Sequence, residues 1–170
     1  MQEELLIREA TLAERPAIAD LTRDSYSEYA SSRPDKSWLD YEERTRKTIL
    51  EDNNILRLTA LLKDRIVGSV VLCPPYEMRR GNVLVKNIYP EMRLLAVSKD
   101  FRNLGIGAKL IDECEKIALS KGFKTITLHT TILMQTAKLM YERRGYSRYQ
   151  EIDFQPTPGF IVWGYKKQFN

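Results

Sequence analysis

The distribution of apolar residues along the chain predicts strands and helices in turn. Short β-rich runs, or apolar residues at every second position, indicate strands, and spacings of three and four indicate helices. Strands are predicted at residues 5–9, 55–62, 66–72, 91–97, 125–130, 146–154 and 160–166. Helices are predicted from about residue 11, at 37–50, directly after Gly107 and at 136–144. Thr11 and Glu14 have the spacing of a capping box at the first helix start.

The segments between the strands carry turn residues. Lys63-Asp64-Arg65 is predicted to join strands 55–62 and 66–72 as a hairpin. Cys73-Pro74-Pro75 ends the second of these strands, because proline cannot donate to a ladder. The stretch around Arg79-Arg80-Gly81-Asn82 is predicted to be irregular, and residues 155–159 to form a turn.

This order of elements predicts an α/β fold with a mixed sheet, built as one domain over residues 1–170. Consecutive hairpins produce antiparallel neighbours, whereas the strand–loop–helix–strand unit at 91–130 requires a parallel pair with a right-handed crossover. We therefore expect a mostly antiparallel sheet with a central parallel pair and helices on both faces. A chain of 170 residues is long enough to bury one such core.

Composition and charge narrow the classes of function. The longest apolar runs, such as 66–72, are far shorter than the ~20 residues of a membrane span. The start, Met1-Gln2-Glu3-Glu4, is acidic and unlike a signal peptide, so we expect a cytoplasmic protein. The net charge of +4 is scattered as short pairs rather than gathered into a stripe, which argues against nucleic-acid binding.

Metal and disulfide chemistry are not expected. Cys73 and Cys114 lack the spacing of a metal site or a disulfide framework. Cys114 falls on the apolar face of the predicted helix, where cysteine serves as a small hydrophobe. His129 is the only histidine, which excludes a metal site made of several imidazoles.

The segment before the third predicted helix has the features of a phosphate-binding loop. Gly105 and Gly107 allow the backbone to approach a ligand, and the helix start that follows attracts anions. Arg102 adds a cation at the loop entrance. A tight turn without a ligand is the alternative for two such glycines. Leu110 and Ala108 exclude the Rossmann and Walker motifs, because the first requires a third glycine and the second a lysine at those positions.

Three motifs in this order resemble the GCN5-related N-acetyltransferase (GNAT) family. They are Leu94-Leu95-Ala96-Val97, Arg102-x-x-Gly105-x-Gly107 and Tyr141-Glu142-Arg143-Arg144-Gly145-Tyr146. The order of elements also resembles that family over nearly the whole chain. Many relatives carry an asparagine where this chain has Met134, and Gln135 is the candidate replacement.

The resemblance implies acetyl-CoA as co-substrate and no metal. Cofactor-binding residues implied by the motifs are Leu95, Ala96, Val97, Arg102, Asn103, Leu104, Gly105, Ile106, Gly107, Ala108 and Tyr141. In this family the strand that ends at Val97 exposes its backbone to the pantetheine arm. A backbone N–H near Leu95 to Val97 would then polarise the thioester carbonyl.

Two residues are candidates for proton transfer. The resemblance places the Tyr141 hydroxyl beside the thioester sulfur, as general acid for the thiolate, while Ala137 and Met140 on the same helix face provide apolar cover. Glu91 occupies the slot of a catalytic glutamate in some histone-acetylating relatives. The alternative for Glu91 is a solvated carboxylate at a strand end. Arg93 could bind an acidic acceptor or pair with Glu91, and His129 is expected to be structural.

The predicted function is transfer of an acetyl group from acetyl-CoA to a primary amine of a small molecule or peptide, without a covalent enzyme intermediate. A catalytically inactive acetyl-CoA-binding regulatory module is the alternative. Acceptor choice is expected from segments 26–38, 73–89 and 155–160, with aromatic walls from Tyr26, Tyr29, Trp38 and Tyr76. No nucleic-acid or membrane partner is expected, and a homodimer is left open.

Overall fold

The computed structural model describes residues 4–32, 38–81 and 83–170. Parts of the predictions lie outside the described residues: the acidic start at 1–3, residues 33–37 of the acceptor segment 26–38, which include the predicted start of the second helix, and Asn82. The helices in the described part are α1 (Arg15–Tyr26), α2 (Trp38–Glu51), α3 (Ile106–Ser120) and α4 (Gln135–Arg143). The strands there are β1 (Leu6–Glu9), β2 (Leu56–Leu62), β3 (Arg65–Cys73), β4 (Tyr76–Arg80), β5 (Val83–Asn87), β6 (Glu91–Val97), β7 (Thr125–Thr130), β8 (Ser147–Arg148), β9 (Phe154–Thr157) and β10 (Phe160–Gln168).

The chain groups into two compact units. The first comprises the described residues of Met1–Cys73 and Arg93–Cys114, and the second comprises those of Pro74–Met92 and Glu115–Asn170. The chain enters the first unit from the second within β6 and returns within α3. One domain over residues 1–170 stays a prediction.

The first unit contains strands β1, β2, β3 and most of β6, in that order. β1 and β3 both pair antiparallel with β2. The β2–β3 hairpin closes at Lys63 and Asp64, whose φ values of 46° and 61° suit the tight turns that match strand twist. The capping box is confirmed, since the Thr11 N–H donates to Glu14 Oε2 at 2.8 Å ahead of α1.

Helices α1 and α2 are held to their unit by buried residues. Ile18 and Ala19 of α1 pack with Ile49 of α2, and all three are buried. Arg57 of β2 is 3% exposed, and its guanidinium donates to the carbonyls of Thr48 (3.0 Å) and Ile49 (2.6 Å) at the end of α2. The end of this helix is therefore capped by a side chain from a strand.

The second unit supplies the predicted parallel pair. Glu91 and Met92 of β6 pair parallel with Thr127 and Leu128 of β7. Strand β10 pairs antiparallel with β7, β8 and β9. The connection from β6 to β7 contains α3, as a parallel pair requires. The prediction of a mixed, mainly antiparallel sheet with one parallel pair is confirmed.

Two parts of the second unit differ from the prediction. The segment expected to be irregular forms the β4–β5 hairpin, with Gly81 at φ 62° in its turn. A side chain at Gly81 would collide with the carbonyl oxygen of Gln155, so this glycine permits a close approach. The two strands of the β4–β5 hairpin carry exposed residues on both faces. They therefore lack the alternation of apolar and polar residues by which strands are recognised.

The strand predicted at 146–154 is also wrong. β8 is only Ser147–Arg148, a 3-10 turn at Gln150–Ile152 follows, and β9 begins at Phe154. Tertiary contacts break the strand, because Ile152 is fully buried and the Tyr149 N–H donates to Gly164 O at 2.8 Å. The turn is accordingly shorter than predicted and contains Gly159 at φ 84°.

Candidate functional site

The glycine-containing loop lies in the first unit, between β6 and α3. The Ser98 N–H donates to Val67 O at 2.9 Å, and a 3-10 turn at Lys99–Phe101 follows. Asn103 and Gly105 both have left-handed φ values, 63° and 77°. Such residues before a helix turn successive N–H groups toward one concave side, where anions bind. Helix α3 then begins at Ile106, and the first N–H groups of a helix have no partner within it.

The two glycines of the loop are required for different reasons. Gly105 needs its left-handed backbone, and a Cβ added there would meet no atom within 4 Å. Gly107 has no such backbone requirement, and its added Cβ would lie 3.7 Å from Val97 Cγ2, an ordinary contact. A Cβ at Gly107 would therefore fit within the protein. We infer that the glycine is needed for the space that it leaves open beside the backbone.

Gly68 on β3 is a third glycine of importance, which sequence reasoning missed. A Cβ at Gly68 would lie 3.1 Å from side-chain atoms of both Ile106 and Leu110, and 3.3 Å from Ala96 O. The absence of a side chain lets the first turn of α3 pack tightly on the strand. A glycine inside an apolar strand run is the signal of such an approach.

Strand β6 departs from regular geometry where the cofactor backbone contacts were predicted. Leu94 has φ 55°, a left-handed value that is uncommon for a bulky residue inside a strand. Beyond it, Leu95 O accepts a hydrogen bond from Tyr26 OH at 2.8 Å, and Val97 O accepts one from Ser25 Oγ at 3.2 Å. Side chains of α1 thus bind carbonyl groups at this end of β6.

Arg102 is held by the last turn of α1 and by the segment that follows it. Its Nη1 lies 3.1 Å from Glu28, and its Nη2 donates to Ser25 O at 3.3 Å. Both side chains of the ion pair are about one-third exposed, at 37% and 35%. The hydrogen bond from Arg102 lowers the pKa of Glu28, with a smaller contribution from Lys99.

The aromatic residues proposed as acceptor walls fall into two groups. Tyr26, Tyr29 and Trp38 lie in the first unit together with Tyr41, and ring centroids separated by 5.7 to 6.4 Å link them. Tyr76 lies in the second unit, where its hydroxyl donates to a carboxylate. The sequence did not indicate that these candidates belong to different units.

Glu91, in the second unit, is completely buried. The solvated alternative for this residue is therefore wrong. Glu91 Oε2 accepts hydrogen bonds from Tyr76 OH (2.5 Å) and Asn87 Nδ2 (3.3 Å), and His129 Nδ1 lies 3.2 Å from it. Arg80 Nη2 lies 3.5 Å from Oε1. Arg80, Asn87 and Tyr76 come from the β4–β5 hairpin, which the sequence did not predict.

Tyr141 lies on α4 of the second unit and is 7% exposed. Its ring packs edge-on against Tyr146 with centroids 5.8 Å apart. The helix ends as predicted, with Gly145 at φ 93° and the Tyr146 N–H donating to Tyr141 O at 3.1 Å. Met134 is the N-cap of α4, and Gln135 Nε2 donates to Ile132 O at 2.9 Å.

The described residues contain no group of three or more histidine, cysteine or acidic side chains able to hold a metal ion. Cys73 and Cys114 are both buried, and Cys114 lies in the core, as expected for a small hydrophobe. Within the described ranges, no helix combines the length and the apolar character needed to cross a membrane.

The fold and the loop before α3 are those that the resemblance to the GNAT family predicts. The model of the acetyltransferase (GNAT) family matches residues 15–146. The chain therefore belongs to this family.

Curated relatives are N-acetyltransferases. N-alpha-acetyltransferase 30 of Schizosaccharomyces pombe is 31% identical over 93 residues, covering 55% of this chain and 58% of that protein. The probable N-acetyltransferase camello of Xenopus tropicalis is 28% identical over 126 residues, covering 72% of this chain and 52% of that protein. The chain thus spans about half the length of these relatives.

Solved structures share the fold over nearly the whole chain. The PaiA N-acetyltransferase of Thermoplasma acidophilum, in complex with coenzyme A, has a TM-score of 0.72 at 17% identity and covers 98% of this chain and 99% of its own. A GNAT acetyltransferase of Staphylococcus aureus has a TM-score of 0.71 at 18% identity, with coverage of 98% and 100%. At this identity the likeness concerns the fold.

Proposed function

We propose that this protein transfers an acetyl group from acetyl-CoA to a primary amine of a small molecule or peptide. The observation that carries the proposal is the loop at Asn103–Ala108, in which two left-handed residues precede the start of α3. Successive N–H groups at a helix start bind phosphate, and acetyl-CoA carries a pyrophosphate. Membership of the GNAT family and the N-acetyltransferase relatives support the same reaction.

The cofactor suits the residues present. The N–H groups from about Asn103 to Ala108 would hold the pyrophosphate, and Arg102 would add a cation at the loop entrance. The backbone of Leu95, Ala96 and Val97, which follows the irregular residue Leu94, would hold the pantetheine arm. When bound, acetyl-CoA supplies an activated acyl group as a thioester.

The remaining steps belong to side chains and backbone of the chain. A backbone N–H near Leu95–Val97 would stabilise negative charge on the carbonyl oxygen, an effect typically worth about 3–4 kcal/mol. An alkyl amine has a pKa of about 10.4 and is largely protonated at neutral pH, so it requires a base. Glu91 would provide the carboxylate for that proton, and the Tyr141 hydroxyl would protonate the departing thiolate.

An acceptor screen tests this function. Acetyl-CoA would be incubated with the chain and with polyamines, amino acids, aminoglycosides and peptides that offer N-termini or lysines. Mass spectrometry then detects acetylated amines, and release of free thiol gives the rate. We expect at least one class to be acetylated. Binding of acetyl-CoA by calorimetry without acetylation of any class would instead support the inactive regulatory module.

The assembly and the cellular location of the protein are further inferences, each with its own test. We infer a cytoplasmic enzyme without a nucleic-acid or membrane partner from the scattered charge and the short apolar runs. Cell fractionation, and DNA binding measured against salt concentration, test these inferences. Sedimentation velocity distinguishes a monomer from a homodimer.

A further inference from the structure

The buried carboxylate of Glu91 is the centre of a polar cluster within the second unit. A buried charge requires compensation, and Arg80 Nη2 supplies it at 3.5 Å from Oε1. The Arg80 guanidinium lies between two rings, 4.8 Å from the Tyr76 centroid and 4.9 Å from that of Phe154. This arrangement fixes Arg80 beside the carboxylate.

The direction of the hydrogen bond from Asn87 is determined by its other contacts. Asn87 Oδ1 accepts from the Tyr89 N–H at 3.2 Å, so the amide nitrogen is the end that faces Glu91. The same nitrogen donates to Thr127 Oγ1 at 2.7 Å, and Thr127 Oγ1 in turn donates to Pro90 O at 3.0 Å. Asn87 therefore positions Glu91 but cannot take up a proton.

His129 lies beside Glu91 and is oriented by a backbone carbonyl. His129 Nε2 lies 2.7 Å from Ile152 O, and a carbonyl can only accept, so Nε2 carries a hydrogen. His129 Nδ1 lies 3.2 Å from Glu91 Oε2, and the His129 side chain is only 10% exposed. His129 is therefore part of the buried surroundings of this carboxylate.

An acceptor amine cannot reach Glu91 itself, because the residue is fully buried. The His129 side chain is only 10% exposed, and its Nε2 is bonded to Ile152 O. Arg80 does not release a proton at physiological pH. Among the described residues bonded to Glu91, Tyr76 combines partial exposure with a hydroxyl that can donate and accept at the same time.

We propose that Tyr76 takes the proton from the acceptor amine and that Glu91 acts through it. This inference rests on the proposed function. The amine N–H bond breaks as its proton bonds to the Tyr76 oxygen, and the original Tyr76 proton moves to Glu91 Oε2. The amine keeps the electron pair for its attack, Tyr76 is restored, and Glu91 returns the proton to solvent through Tyr76 after product leaves.

The kinetic test uses Tyr76→Phe, Glu91→Gln and the double variant on an acceptor identified by the screen. Each single variant should lower kcat/KM near neutral pH by about tenfold to hundredfold. Activity should recover partly as rising pH deprotonates the amine unaided. Both residues serve one proton transfer. The kcat/KM of the double variant should therefore be no lower than that of the less active single variant.

Tyr149→Phe is the matched control. Tyr149 belongs to the same unit, is partly buried and packs on Tyr89 at 6.0 Å, outside the cluster. The Tyr149→Phe variant should keep the wild-type pH–rate profile. A wild-type profile for Tyr76→Phe, or losses that multiply in the double variant, would overturn the relay. Thermal melts identify any variant that fails to fold.

His129 also provides a readout that does not depend on activity, because it is the only histidine. Long-range ¹H–¹⁵N correlation spectra report the surroundings of both ring nitrogens. We expect the Nδ1 signal to move in Glu91→Gln, because Nδ1 lies 3.2 Å from Glu91 Oε2, and to stay near its wild-type position in Tyr149→Phe. An Nδ1 signal unaffected by Glu91→Gln would mean that the buried arrangement around Glu91 is absent, which contradicts the relay.

The two proposals fail in different ways. A wild-type chain that binds acetyl-CoA but acetylates no amine contradicts the proposed function, and the relay with it. An active wild type whose Tyr76→Phe variant is equally active contradicts the relay alone.

Discussion

Glu28 and Arg102 form an ion pair of 3.1 Å, in which the Glu28 carboxylate neutralises the cation of the proposed phosphate-binding loop. Negative charge beside a polyphosphate site opposes binding of the ligand. Because both side chains are partly exposed, a pair of this kind is worth only about 0.2–1 kcal/mol. Glu28→Gln should therefore tighten acetyl-CoA binding by up to about fivefold at low salt, measured by calorimetry.

The salt and pH dependence of this effect follow from its electrostatic origin. The gain in Glu28→Gln should shrink as ionic strength rises. Arg102 lowers the pKa of Glu28. The ion pair therefore persists at pH values above this lowered pKa and is lost as the pH falls through it. Glu43→Gln, on an exposed residue of α2, is the control and should leave affinity unchanged. Equal affinities of Glu28→Gln and the wild type at low salt would show that the pair does not compete with the cofactor.

Substitution of the two loop glycines should affect different properties, the stability of the fold at Gly105 and the binding of acetyl-CoA at Gly107. Gly105→Ala forces a side chain into a left-handed backbone and should destabilise the fold by roughly 1–2 kcal/mol in urea unfolding. Gly107→Ala should leave stability nearly unchanged, since its Cβ makes only an ordinary contact. Gly107→Val should weaken acetyl-CoA binding by about tenfold or more, equivalent to about 1.4 kcal/mol. A folded Gly107→Val variant with wild-type affinity would refute the loop as the pyrophosphate site.

Tyr141→Phe tests the proton donor for the thiolate. The substitution keeps the buried ring on Tyr146 and removes only the hydroxyl. Turnover should fall about tenfold to hundredfold, the low end of general acid catalysis, because a thiolate is a good leaving group. Affinity for acetyl-CoA and the melting temperature should stay close to wild type.

Tyr146→Phe is the control for Tyr141. It removes the hydrogen bond of 2.9 Å to Glu115 and should lower stability while turnover is kept. Turnover must be measured where chemistry limits the rate. Equal turnover of Tyr141→Phe and the wild type would leave Tyr141 as a packing residue.

Arg57→Met should be strongly destabilising. The variant fills the buried volume but deprives the carbonyls of Thr48, Ile49 and Asp52 of their donor. Loss of several charged hydrogen bonds should lower the free energy of unfolding by roughly 2–4 kcal/mol in urea titrations. Arg44→Met, on the exposed part of α2, should change stability far less.

Glu14 should make the stability of the fold depend on pH in the acid range. Hydrogen bonds from Arg8 and then from the Thr11 N–H lower its pKa from 4.5 to about 2. A carboxyl with a lowered pKa stabilises the fold above its unfolded value, and this contribution is lost as pH falls through about 2. The melting temperature of Glu14→Gln should lie below wild type near neutral pH, and the difference should vanish near pH 2. A constant difference over that range would contradict the assignment.

Local patterns predicted much of the secondary structure. The strand at 91–97, the capping box at Thr11 and Glu14, and the glycine loop before α3 were all recognisable, because each depends on residues close in sequence. The parallel pair followed from the need for a crossover connection. The loop motif also led to the family without knowledge of any contact.

Tertiary structure decided the features whose partners are distant along the chain. The β4–β5 hairpin and the break at Ile152 depend on packing that local periodicity does not encode. Glu91 looks like an ordinary strand-end carboxylate until residues 4 to 38 positions away, from Asn87 to His129, surround it. Glu28 meets Arg102 across 74 positions, and such contacts form only when burial of the apolar faces brings their elements together.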